Sequence, residues 1–134
     1  MLDNTQQSLA EKTIELLNEI VLWQGGIEAA LSYANGSHTF DDVVKKILTG
    51  EVHFFSYPDC FVIMQVILYP QYKTYHCFLA GGNQKALDKV LDEMTANAKH
   101  FDCRYLSLSG RHGWVRRLKT RGWQHTFSTM YLEL

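Results

Sequence analysis

CFVIMQVILYPQYKTYHCFLAGG, residues 60–82, is the stretch on which the fold turns. Cys60 to Tyr69 is rich in β-branched and aromatic residues and has almost no polar alternation, which predicts a strand covered on both faces. Pro70-Gln71 breaks the run, and Lys73 to Ala80 reads as the next strand. Just upstream, His53 to Ser56 is a short strand that enters this pair through a tight turn at Tyr57-Pro58-Asp59. Three strands joined by short turns predict an antiparallel meander. Gly81-Gly82-Asn83 then opens a helix over Gln84 to Lys99, where Leu87, Val90, Leu91, Met94 and Ala98 recur at spacings of three and four.

Working outward, Arg104 to Leu108 alternates like a strand, and Gly110 ends it. A basic helix is expected from Arg111 to Arg121, capped by Gly122, with Trp123 to Leu134 as a last strand. On the other side, Asn4 or Thr5 caps a first helix to about Trp23, with Leu9, Ile14, Leu17, Ile20 and Val21 near helical spacing. Gly25-Gly26 is expected to end it, and Ile27 to Ala34 forms a shorter helical stretch. Thr39, followed by Asp41 and Asp42, predicts an N-cap for a helix carrying Phe40, Val43, Val44 and Ile47. The expectation is one domain over 1–134, an N-terminal helical segment (1–35) leading into a core (36–134).

Composition narrows the classes. A hydrophobic share of 46% with 20% charged residues excludes wholesale disorder. No apolar run approaches the ~18 residues of a membrane span, and the N-terminus lacks signal-peptide character. The expectation is a protein neither secreted nor membrane-spanning. Cys60, Cys77 and Cys103 cannot all pair within one chain, which suggests a reducing compartment. The histidines show no metal-type spacing, so no metal site is expected.

The net charge of −1 hides an uneven distribution. Residues 1–93 hold twelve acids and six bases (−6), while 94–134 hold two acids and seven bases (+5). Arg111, Arg116, Arg117, Lys119 and Arg121 form a candidate partner-binding face. A solvated helix face accounts for the same charges. A protein partner is the favoured use, and nucleic acid the lesser one, because the acidic remainder narrows any footprint.

The order of elements resembles the Gcn5-related N-acetyltransferase (GNAT) fold over roughly Thr39 to Leu134. Gly110-Arg111-His112-Gly113-Trp114 and Leu118-Lys119-Thr120-Arg121-Gly122-Trp123 are similar to a segment of short GNAT-like proteins of tailed bacteriophages. Leu79-Ala80-Gly81-Gly82 and Gly36-Ser37-His38-Thr39 match the same group. The resemblance implies an α+β fold in α/β/α layers, with a mixed, mostly antiparallel sheet and helices on both faces.

It also implies a cofactor, acetyl-CoA, whose pyrophosphate would meet the turn before the long helix. Gly81, Gly82, Asn83 and Gln84 are the candidates here, although the turn is shorter than the family's and lacks its leading Gln or Arg. A Gly-Gly is equally an ordinary strand-to-helix connection. The chemistry calls for a base and usually a tyrosine acid. Leu118 stands where that tyrosine would fall, and Leu cannot donate a proton. His76, Tyr75 and His112 are the remaining catalytic candidates, each also explained as a packed or surface residue. The favoured expectation is a GNAT-fold phage protein, a virion or assembly component or a protein-binding module, found in the virion or host cytoplasm. An active acetyl-CoA-dependent N-acyltransferase and a nucleic-acid-associated regulator are the alternatives, and a homo-oligomer is compatible with each.

Overall fold

Two helical layers, one on each face of the sheet, explain why the central strands read as continuous apolar runs. The computed structural model describes residues 3–134. In chain order the elements are α1 (Asn4–Leu22), α2 (Gln24–Leu31), α3 (Phe40–Leu48), β1 (His53–Ser56), β2 (Cys60–Leu68), β3 (Lys73–Gly82), α4 (Gln84–His100), β4 (Tyr105–Leu108) and α5 (His112–Lys119). Among the described residues the sheet has four strands in the order β1-β2-β3-β4. The first three form the expected antiparallel meander, and β4 lies parallel to β3 with α4 as the crossover.

Alternation along β2 sorts the core. Cys60, Val62 and Met64 face one layer and pack with Tyr75 and Cys77 of β3, Leu87, Leu91 and Met94 of α4, and Leu118 of α5. Phe61 and Ile63 face the other layer, against Ile20, Ile27, Leu31, Val43 and Ile47 of α1–α3. Residues 60–64 are therefore buried throughout, and a polar residue on either face would sit without water. The mixed sheet with helices on both faces is the α+β layering expected from the sequence.

Caps fix the helix starts. Thr39 accepts from the Asp42 N–H while Asp42 accepts from the Thr39 N–H, a reciprocal capping box for α3. Asn83 caps α4 by accepting from Ala86 N–H at 3.0 Å. For α1 the cap is Asp3, one residue before the expected Asn4 and two before Thr5.

Three expectations need correction. Gly25-Gly26 does not end α1. Both glycines lie in the first turn of α2, and Trp23 is the joint. Gly26 is there for close approach, since a Cβ would come within 3.0 Å of the Phe61 ring. Second, the apolar spacing of α1 marks burial only at its end. Ile20 is buried, whereas Leu9, Ile14 and Val21 are exposed. Third, Trp123 to Leu134 forms no strand. Trp123 donates its N–H to Leu118 O at 3.1 Å and packs on the α4 side, but residues 124–134 are exposed. A strand needs a neighbour for its backbone groups, and none of the described strands pairs with this segment.

Candidate functional site

A bulge opens the candidate site. Ile63 pairs with Leu79 and Met64 with Cys77, so Phe78 is the extra residue on β3. A bulge bends its strand and re-aims the side chains around it. Pairing of β3 with β4 ends at the same point, Cys77 with Leu108. Beyond it β3 continues to Gly82 on β2 alone, while the β4 chain turns through Ser109-Gly110-Arg111 into α5. The gap between them is a notch.

The α2–α3 connection reaches this notch. The Arg111 guanidinium lies 4.0 Å over the Tyr33 ring, a cation–π contact. His38 meets Phe78 edge to face at 4.9 Å, and its Nδ1 is 2.7 Å from Ser37 Oγ. The Gly36-Ser37-His38-Thr39 motif, the end of β3 and the Gly110-Arg111 turn, far apart in sequence, thus converge.

His76 lies beside this point, paired with Ser107 one step before the two strands part. Its Nδ1 lies 2.8 Å from Ser107 Oγ, which lies 2.8 Å from Thr74 Oγ1, and Thr74 donates to Tyr105 O at 3.1 Å. The carbonyl can only accept, which fixes the rest of the chain. Thr74 spends its proton on Tyr105 O, Ser107 donates to Thr74, and Ser107 must therefore accept from His76 Nδ1–H. This hydrogen-bond assignment leaves Nε2 with its lone pair, 3.4 Å from Ser109 Oγ. Burial holds the His76 pKa below its ordinary value of 6.5. Ser109 Oγ–H is then the donor to Nε2, and a neutral imidazole that keeps this lone pair can accept a proton.

The other catalytic candidates lie elsewhere. Tyr75 is fully buried on the opposite face, with its hydroxyl 3.1 Å from His53 Nδ1, and burial pushes its pKa up to about 12. It is a core residue. His112 is exposed at the first position of α5. Leu118 is 4% exposed and packs against α4, so a tyrosine there would have to find room in the core.

The glycines before α4 are strand residues. Gly81 pairs with Phe61 and Gly82 with Cys60. A Cβ on Gly81 would come within 2.7 Å of the Phe61 ring, and one on Gly82 within 2.7 Å of Cys60 Cα. Gly82 also has φ +113°, and Asn83 N–H is taken by Asp59 O at 2.9 Å. Packing against β2 explains both glycines. Gly81 and Gly82 carry β3 up to the Asn83 cap, and Gln84 is the first residue of α4.

The basic helix is partly neutralised within the chain. Arg117 Nε pairs with Asp88 at 3.0 Å and stacks on Trp114, and Arg121 pairs with Asp92. Arg111, Arg116, Lys119 and Arg121 all stay exposed, so the expected partner face keeps four of its five cations at the surface. Gly110 is needed for packing, since a Cβ would lie 2.8 Å from the Trp114 ring.

Sequence reasoning found His76 but missed Thr74, Ser107, Ser109, Tyr33 and His38. Thr74-x-His76 on β3 and Ser107-x-Ser109, at the end of β4 and just past it, are polar pairs at strand spacing. That shared two-residue period was the available signal. Among the described residues, no group of three or more His, Cys, Asp or Glu side chains could hold a metal. Among the described residues, no helix is long and apolar enough to cross a membrane.

No protein-family model and no curated protein matches the sequence. Solved structures do. A protein described as a probable acetyltransferase aligns at TM-score 0.61 and 10% identity, over 88% of this chain and 93% of its own. A possible acetyltransferase from Clostridium difficile 630 aligns at TM-score 0.61 and 6% identity, over 87% of this chain and 92% of that one. The BH1408 protein of Bacillus halodurans, as a tetramutant, aligns at TM-score 0.62 and 11% identity, covering 91% and 96%. At these identities the likeness speaks for the fold alone: the chain has a GNAT-like acetyltransferase fold.

Proposed function

We propose that this chain acts by contact rather than by acetyl transfer, as a protein-binding module that serves a tailed-phage virion or its assembly. One observation carries the reading. Gly81 and Gly82, where the fold's cofactor turn would lie, are strand residues whose missing side chains are explained by packing on Phe61 and Cys60. Leu118 in the core, at the place of the usual acid, supports the same reading. The phage setting rests on the sequence resemblance of residues 110–123. The nucleic-acid alternative loses support because Arg117 and Arg121 are occupied by Asp88 and Asp92.

A second reading has one observation in its favour. The unprotonated Nε2 of His76, met by Ser109 Oγ, suits the base of an acetyl-CoA-dependent N-acyltransferase acting on a protein or small amine.

Thermal unfolding with acetyl-CoA and with desulfo-CoA separates the two. A ligand at 100 times its dissociation constant adds roughly 2.7 kcal/mol, a readily measured shift. The expected result is no stabilisation by either compound. Stabilisation by desulfo-CoA, together with thiol release from acetyl-CoA that is lost in His76→Gln, overturns the contact reading in favour of the enzyme. For the virion setting, mass spectrometry of purified particles is the direct measurement. The chain should be present in them, and its absence counts against that setting.

A further inference from the structure

We infer that copies of this chain associate head to tail, with the acidic helix α1 of one copy docked on the basic α5 face of the next. α1 lacks a partner for most of its length. Of its 19 residues, Leu16 and Ile20 join a core cluster, and residues 3–15 are all exposed. More than half of the helix therefore stands clear of its own domain. Helical segments of ~12–15 residues are marginal in water unless one face is packed.

Charge names the occupant. Glu11, Glu15 and Glu19 recur every four residues, so they fall on one stripe of α1, and all three are exposed. Like charges at this spacing repel. α1 carries a single base, Lys12, and among the described residues no ion pair engages any of the three glutamates. α5 is the converse. It holds no acid, and its Arg116 and Lys119 are exposed one turn apart with no carboxylate paired to either. Each surface is the electrostatic complement of the other.

The two surfaces lie too far apart to meet within one chain. α1 packs on the sheet face that carries Phe61 and Ile63, and α5 on the face that carries Val62 and Met64. Glu19 and Leu22 lie beside Ser56, Tyr57 and Pro58 at the end of β1, whereas α5 follows β4. β1 and β4 are opposite edges of the sheet. Complementary surfaces on opposite sides of a molecule join copies head to tail. A foreign acidic helix would satisfy α5 and leave the stripe on α1 unanswered, while a second copy supplies the missing charge to both. This partner rests on the contact reading of α5, and salt and charge reversal test it separately from the acetyl-CoA measurement.

Light scattering on the full chain after size exclusion should give a mass above the 15.5 kDa of one chain at about 0.1 M salt. It should fall to 15.5 kDa at about 1 M salt, where screening acts within ~3 Å. Glu11→Lys with Glu15→Lys and Glu19→Lys should abolish association. So should Arg116→Glu with Lys119→Glu, and both variants should keep the circular dichroism of the parent because the altered side chains are exposed. Mixing the two variants should restore association, since each then offers the charge the other lacks. Location is tested with a carbodiimide, which joins a carboxylate to an amine in contact, in a mixture of 15N-labelled and unlabelled chains. Mixed heavy–light crosslinks from Glu11, Glu15 or Glu19 to Lys119 are the expected result. A full chain that is monomeric at about 0.1 M salt, association that survives either reversal, or a variant mixture that stays monomeric each overturn the head-to-tail contact. Crosslinks from these glutamates confined within one chain overturn it as well.

Discussion

His76 shows how much chemistry one side chain takes from its neighbours. Its proton sits on Nδ1 because a carbonyl three bonds down the chain, Tyr105 O, can only accept. Its burial has a consequence for stability. The folded-state pKa lies below 6.5, so on acidification the unfolded chain takes up the proton first. This contribution to stability is full above about pH 6.5 and is lost as the pH falls through the folded value. Urea unfolding midpoints should therefore drop on acidification below that point, and His76→Asn should flatten this part of the profile. An unchanged pH dependence in the variant would mean that the ring is not held neutral. The sequence identified the residue and its strand. The tautomer was out of reach, because it depends on β4 lying beside β3, a contact separated by about thirty residues.

At the scale of elements, α5 is where reading and structure part most instructively. The clustering of its arginines was visible in the sequence, and a contact face was a reasonable expectation. Its partners were visible as well. Asp88 and Asp92 are four residues apart on α4, and Arg117 and Arg121 four apart across α5 and the turn that follows it, so one helical repeat meets another. What the sequence lacks is the packing of α5 against α4 that aligns them. Arg117 is the more enclosed of the two, with Asp88 at 3.0 Å and Trp114 beneath it. Arg117→Ala should cost about 1–3 kcal/mol by removing a charged hydrogen bond and a cation–π contact. Arg116→Ala and Lys119→Ala should stay within about 0.5 kcal/mol. Arg117 Nη2 is buried without a partner, so the pair is not fully satisfied, and coupling is better measured than summed. In a double-mutant cycle, Arg117→Ala with Asp88→Ala should cost less than the two single changes added together. Strict additivity would place Arg117's contribution elsewhere. The strands were easier to read than this helix because burial on both faces of β2 leaves a mark in every residue. The β3 bulge at Phe78, and with it the notch, leaves none: an extra residue in an apolar strand looks like any other.

Across the whole molecule, the three thiols are distributed as reporters of the two-layer core. Cys60 and Cys77 lie buried in the layer between the sheet and α4, whereas Cys103 is half-buried at the entrance to β4. Burial raises all three pKa values, that of Cys77 to about 12. The thiolate is the reactive species, so Cys60 and Cys77 are protected twice, by lack of access and by lack of ionisation. If the sheet and α4 form one cooperative unit, neither thiol can meet a reagent without global opening. In the native protein at neutral pH, a disulfide reagent should modify Cys103 first. Cys60 and Cys77 should then follow together, at one rate that rises with urea as steeply as global unfolding does. Modification of Cys77 well ahead of Cys60 would show that β3 separates from α4 before the domain unfolds, and the core would then not be a single unit.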